Sequence, residues 1–355
     1  MRIGILSYPM LFQRDAALQV QVRETIRALN ALRQVDGCDL TVDLVGADPT
    51  HLDSYDLIHV FSASGGNHRI VEAAAELGVP VVLSPLISAG WDRTCGEHAR
   101  LADHKMGKQT AWSVQSNYAQ TRRALQLASA VVALGQNEKR AIEEGFLIDS
   151  AKIRVFPNGV SGHLFDADGD LFRQRTGIAG PFVLMAGAIS PYQNQLAMAQ
   201  VLAELSLPFV LLGETRERDQ EYLRQVRAVH GVTCLGGLKH DARMLASAYA
   251  AASVLVLPCQ GDTCARTVFD ALAAGTPVVM SSSSVLDLPE GGFALRQVAW
   301  SDAQAQKQAM LELIATPPAR EAVRDLVRPY TWERAATQLA ACYAALVASA
   351  STMAT

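Results

Sequence analysis

A chain of 355 residues exceeds what one hydrophobic core usually supports, so two domains are expected. Half of the residues are apolar and 19% are charged, ample for buried cores, and the net charge of −4 gives no electrostatic reason to expect nucleic acid as a partner. Six cysteines, at 38, 95, 234, 259, 264 and 342, lack metal-ligand spacing and have no His pair beside them. The expectation is buried reduced thiols and no metal site. Met1–Leu6 reads directly as a strand, with no charged leader or long apolar run, so a cytoplasmic protein is expected.

Short apolar runs then recur along the chain with helical stretches between them. In the first half they are Arg2–Leu6, Leu40–Val45, Leu57–Phe61, Pro80–Ser84, Ala130–Gly135 and Ile153–Pro157. In the second half they are Phe182–Gly187, Phe209–Gly213, Val232–Gly236, Val254–Pro258, Pro277–Ser281 and Ala294–Val298. Strands alternating with helices of this length predict parallel sheets joined by right-handed crossovers, and two such sets predict two Rossmann-like domains. Gln19 and Gln21 precede an amphipathic helix over Val22–Leu32. Trp91–Arg123 is polar and mostly basic, a solvated helix and loop or a wall facing an anionic group. Pro157–Pro181 is rich in Pro, Asn, Gly and Asp and reads as a linker with turns. A final helix is expected over Trp332–Ala348, and the tail Ser349–Thr355 is expected to fray. The predicted boundaries are residues 1–160 and 161–331, with the helix 332–350 on its own domain or packed back on the first.

The most informative stretch is 254–279, V-L-V-L-P-C-Q-G-D-T-C-A-R-T-V-F-D-A-L-A-A-G-T-P-V-V. Val254–Leu257 reads as a buried parallel strand that Pro258 ends, and Ala265–Ala274 as a helix stopped by Gly275-Thr276-Pro277. The helix therefore starts at a strand's carboxyl end, where open α/β sheets bind ligands and where free N–H groups and the helix dipole favour an anion. Asp262 stands at that mouth and Asp270 on the helix.

This stretch resembles the donor segment of the retaining nucleotide-sugar glycosyltransferases of sequence family four, P-S-x-x-E-G-F-G-L-x-x-x-E-A-M-A-x-G-x-P-V-V, with both Glu replaced by Asp. Val155–Val160 with Phe165, Leu245–Ser253, and Thr331-Trp332 with Tyr343 are similar to further family segments in the same order. The resemblance implies a GT-B fold, two Rossmann-like domains whose parallel sheets face across a cleft. It implies a final helix that crosses back onto the first domain. It also implies transfer of a sugar from a nucleotide-diphosphate sugar to an acceptor hydroxyl, with retention and without a metal or other cofactor.

Carried over by position, Asp262 and Arg266 take the catalytic place. Gly187, Ser190, Gln193, Asn194, Gly213, Leu238, Thr263, Cys264, Ala265 and Asp270 bind the donor, with Asp262 on the sugar and Asp270 on the ribose. Read structurally instead, Asp262 is a helix N-cap, Asp270 an exposed helix residue and Arg266 a solvated one. The family's phosphate loop G-R-x-x-x-x-K is altered: the Arg position is Ala188 and the Lys position Gln193. Charge-assisted hydrogen bonds contribute about 1.5–3 kcal/mol each, so this loss weakens donor binding unless Arg266 and the helix N–H groups compensate.

Asp15, Ala16, Gln19, Ser84 and Arg93 are the implied acceptor residues. Ser84 stands where several family members have a His near the reacting centre, and His59 and His68 read as buried or surface histidines. A glycan, lipid-linked or small-molecule acceptor, peripheral contact with the inner face of a membrane, and an oligomer or a partner glycosyltransferase are all compatible with this reading. Two alternatives stay open: a degenerate, non-catalytic GT-B protein that binds nucleotide or sugar or supports a partner enzyme, and another GT-B chemistry such as epimerisation.

Overall fold

The computed structural model describes residues 1–6, 16–45, 51–109, 115–239, 242–259, 266–282 and 288–353. The chain divides into two compact units. One holds Met1–Gly159 and Tyr330–Thr355, the other Val160–Ser284 and Leu288–Pro329.

The first unit is built on β1 (Arg2–Leu6), β4 (Thr41–Leu44), β5 (Leu57–Phe61), β6 (Val81–Ser84), β7 (Ala130–Ala133) and β8 (Ile153–Val155). They form one parallel sheet in the order β4-β1-β5-β6-β7-β8. A small antiparallel hairpin, β2 (Gln34–Val35) with β3 (Cys38–Asp39), is an addition that the sequence reading lacks. Its helices are α1 (Ala16–Leu32), α2 (His68–Glu76), α3 (Arg93–Gln109), α4 (Asn117–Leu127) and α5 (Gln136–Phe146).

The period-2 alternation of the strands splits the core in two. Ile58, Val60, Val81, Leu83, Val131 and Ala133 pack on one face with α2, α4 and α5. Leu57, Phe61, Val82, Ala130 and Val132 pack on the other with Val22 and Leu29 of α1 and with Ala336, Leu339, Ala340 and Tyr343 of the C-terminal helix Trp332–Met353.

The second unit has β9 (Val183–Ala186), β10 (Phe209–Leu212), β11 (Val232–Cys234), β12 (Val254–Leu257), β13 (Val278–Ser281) and β14 (Leu295–Val298). All are parallel, in the order β11-β10-β9-β12-β13-β14. The four inner strands are buried at every position, which is why they read as unbroken apolar runs. Its helices are α6 (Asp170–Thr176), α7 (Gln195–Glu204), α8 (Gln220–Arg227), α9 (Arg243–Ala251), α10 (Arg266–Ala273), α11 (Ala303–Ala315) and α12 (Arg320–Asp325); Trp332–Met353 is α13.

Four expectations are corrected. The stretch Pro157–Pro181 is no mere linker: α6 buries Phe172, which stacks on Phe182 with ring centroids 5.2 Å apart, and the Phe172 N–H donates to Ser247 Oγ at 2.9 Å. The helix expected from Val22 begins at Ala16, and the final helix continues to Met353 instead of fraying at Ser349. Alanine and serine in that tail carry modest helix cost, so the preceding turns propagate. Among the described cysteines, all free, only Cys259 is buried; Cys38 and Cys95 are exposed.

Candidate functional site

In the second sheet the chain leaves β9 for β10 and β11 on one side, then returns to pair β12 on the other side of β9. That reversal makes a crevice at the carboxyl ends of β9 and β12, the topological switch point of an open α/β sheet.

The loop after β9 is fixed largely by main chain. The Gly187 N–H donates to the Leu212 carbonyl at 2.8 Å, the Ile189 N–H to the Glu214 carbonyl at 2.9 Å, and the Gly213 N–H to the Gly236 carbonyl at 2.9 Å. A Cβ on Gly213 would lie 1.7 Å from the Gly187 carbonyl oxygen, so no other residue fits there without moving the loops apart. Buried Gln195 clamps the same loop from below: its Nε2 donates to the Ala188 carbonyl at 2.9 Å, and the Ser190 N–H donates to its Oε1 at 3.4 Å. Asn194, at φ 60°, donates from Nδ2 to the Trp300 carbonyl at 3.2 Å. Ser190, Gln193, Gly213 and Leu238 are half-buried along this edge, while Gly187 and Ala188 are exposed.

Across the switch point, Arg266 is the first residue of α10, and its Nη1 donates to Asp270 Oδ2 at 2.9 Å, one turn on. Both side chains are withdrawn from solvent, Arg266 to 11% and Asp270 to 3% exposure, so neither is the solvated helix residue of the structural alternative. Burial pushes the Asp270 carboxyl up, while the neighbouring Arg266 and His163 charges pull it down. Tyr249 is buried beside them; burial and the Asp270 charge hold its phenol well above the usual range, and it bonds the Thr267 side chain. Such a group offers a carboxylate, a guanidinium and hydroxyls next to a helix N-terminus, the donor set that grips hydroxyls and phosphates. Asp262, Thr263, Cys264 and Ala265 lie outside the described residues.

On the first sheet, Ala16 opens α1 after β1 and half-buried Gln19 lies in its first turns, while Ser84 ends β6. All three therefore stand at the carboxyl edge of parallel strands. Ser84 is buried, and its Oγ lies 2.9 Å from His59 Nε2, whose Nδ1 lies 2.6 Å from Tyr343 Oη. Complete burial lowers the His59 pKa to about 3, so the ring is neutral, with one nitrogen donating and the other accepting. His68 is the first residue of α2 and is buried. Arg93 is exposed at the start of α3, and Asp15 lies outside the described residues.

Sequence reasoning missed Glu138. This buried carboxylate accepts from the Ile87 and Leu134 N–H groups, each at 2.7 Å, tying together the loops after β6 and β7, and burial raises its pKa to about 7. Gln195 and Tyr249 were missed too. A lone polar residue in an apolar helix and a tyrosine in an alanine-rich one give no pattern to separate partnered from surface groups. Among the described residues no three His, Cys, Asp or Glu side chains converge as metal ligands, and no helix is long and apolar enough to cross a membrane.

Residues 13–159 match the family model of the glycosyl transferase 4-like domain, and residues 180–316 match that of the glycosyl transferases group 1. An uncharacterized glycosyltransferase of Methanocaldococcus jannaschii is 27% identical over 166 residues, 43% of this chain and 42% of that protein, so the match spans less than half the length of that relative. The fold is similar to that of Anabaena HepE crystallised with UDP (TM-score 0.72, 17% identity, 98% of this chain and 100% of that one). It is equally similar to the sucrose-phosphate synthase of Thermosynechococcus elongatus (TM-score 0.73, 18% identity, 98% and 100%). With two matched domains covering most of its length and a parallel α/β sheet in each, the chain belongs to the GT-B glycosyltransferases.

Proposed function

We propose that the protein transfers a sugar from a nucleotide-diphosphate sugar to an acceptor hydroxyl, with retention of configuration and without a metal. The observation that carries this reading is the Arg266–Asp270 pair, buried in the first turns of the helix that faces the Gly187–Asn194 loop across the switch point of the second sheet. Asp270 accepts from the ribose hydroxyls and Arg266 turns toward the diphosphate. The Gly187 loop approaches the phosphates through backbone N–H groups, since neither Ala188 nor Gln193 carries a charge. Asp262 is assigned to the transferred sugar. The departing diphosphate needs charge stabilisation as the glycosidic bond breaks, and a guanidinium with helix N–H groups supplies it in a site shielded from water. The first unit holds the acceptor, with Ala16, Gln19 and Ser84 along its strands' carboxyl edge and exposed Arg93 at the start of the helix that follows β6. The UDP complex of HepE makes uridine diphosphate sugars the first donors to test.

The test is release of nucleoside diphosphate from a panel of nucleotide sugars with candidate acceptors, in the presence of EDTA, followed by NMR of the product's anomeric centre. Retained configuration and EDTA-insensitive turnover support the reading; inversion or metal dependence overturns those parts of it. The uncharged Gly187 loop favours a second reading, a protein that binds the nucleotide or supports a partner glycosyltransferase without transferring sugar. That reading predicts nucleotide binding with no turnover.

A further inference from the structure

The second unit carries another concavity, at the opposite end of its sheet from the switch point. It is an open concavity beside the amino end of the edge strand β14, bordered by the C-terminal turn of α11 and the connection from α11 to α12. Its volume is 530 Å³, within the usual range for small-molecule sites, roughly 300–1,000 Å³. Phe293, Leu313, Pro317 and Pro318 form apolar walls, and the two prolines fix the backbone of one side.

Into this apolar setting β14 places Arg296. Its Nη1 is buried and has no hydrogen-bond acceptor among the described residues. A guanidinium stays charged at any physiological pH, and a buried charged N–H without an acceptor is strongly disfavoured. Glu312, also in the lining, is exposed and accepts from Gln308 Nε2 at 3.0 Å. It makes no hydrogen bond to Arg296 Nη1, and its own charge, across the cavity from the guanidinium, disfavours more than one negative charge in the site.

We propose that this cavity binds a small organic anion, a single carboxylate or phosphate head on a compact apolar body, with the head on Arg296 and the body against Phe293, Leu313 and the two prolines. The site is separate from the nucleotide site and does not depend on its assignment.

Calorimetric titration of the full chain with phenylacetate and phenyl phosphate, up to about 10 mM, tests it. Saturable binding of at least one of them is expected, with the better binder naming the head group. The neutral phenylacetamide and the Arg296→Met variant should each bind at least about tenfold more weakly, the loss expected for one charge-assisted hydrogen bond. Phe293→Ala, at an exposed position, should weaken binding while leaving the thermal response to UDP as in the parent protein, and it decides the matter if Arg296→Met fails to fold. No saturable binding of either anion, or equal affinity in both variants, overturns the proposal.

Discussion

His59 Nδ1 and Tyr343 Oη lie 2.6 Å apart, although 284 positions separate them in the sequence. The contact joins the middle of the first sheet to the C-terminal helix, and it continues through His59 Nε2 to Ser84 Oγ at the end of β6. A buried three-group chain of this kind fixes α13 in register on the sheet, because sliding the helix by one turn would leave two polar groups unpaired in the core. Tyr343→Phe should therefore lower stability by about 1–3 kcal/mol, the cost of a buried group left without its partner. Urea unfolding should show a lower midpoint with an unchanged slope.

Two buried groups give opposite pH dependence. His59 titrates near 3 in the folded chain against 6.5 when unfolded, so its contribution is full above pH 6.5 and is lost as pH falls toward 3. Glu138 titrates near 7 against 4.5, so its contribution is full below pH 4.5 and is lost as pH rises through 7. Melting temperatures of the parent and Glu138→Gln, measured from pH 4.5 to 8, should converge or cross as pH rises. Parallel curves would remove Glu138 as their cause.

Gly213→Ala puts a methyl carbon 1.7 Å from the Gly187 carbonyl and must prise apart the loops after β9 and β10. A loss at or above the upper end of the usual overpacking range of about 1–3 kcal/mol is expected, because the clash is with backbone. Because the same loops are assigned to the phosphates, nucleotide binding should weaken beyond what lower stability explains. A folded variant with unchanged nucleotide affinity would take the loops out of the site.

Arg266 and Asp270 are coupled, so single substitutions mislead. Arg266→Ala leaves a buried carboxylate without its paired guanidinium, which costs about 3–5 kcal/mol where pairs are well buried. The double variant Arg266→Gln with Asp270→Asn removes both charges together and keeps a polar, hydrogen-bonding group at each position, with a shorter side chain at 266. It should melt closer to the parent than Arg266→Ala does, as a three-way comparison by calorimetry will show.

All twelve described strands of the two parallel sheets were legible in the sequence, most to within a residue or two, because short apolar runs mostly closed by Gly, Pro or Ser leave little choice of element. The two-residue hairpin was not, since a ladder this short has no periodicity to detect. Helix α6 was hidden by Gly169 and Gly177 at its ends, which mark a linker and a capped helix equally well. Within the candidate site, Arg266 and Asp270 could be placed on one helix from sequence, but their ion pair and its burial, with buried Tyr249 beside them, depend on packing between elements that the sequence does not display. Glu138 holds two loops through main-chain N–H groups, which carry no side-chain signature for a sequence to display.

The most direct measurement is a thermal-melting titration of the parent protein and the Arg266→Gln/Asp270→Asn double variant with UDP, GDP, ADP, TDP and CMP and their common sugar conjugates. A ligand that binds only the folded chain raises its melting temperature by mass action. The account predicts a saturable rise with one nucleoside diphosphate and its sugar, absent in the double variant. No rise with any of them at about millimolar concentration, or an equal rise in both proteins, would contradict a nucleotide-sugar site at the switch point of the second sheet.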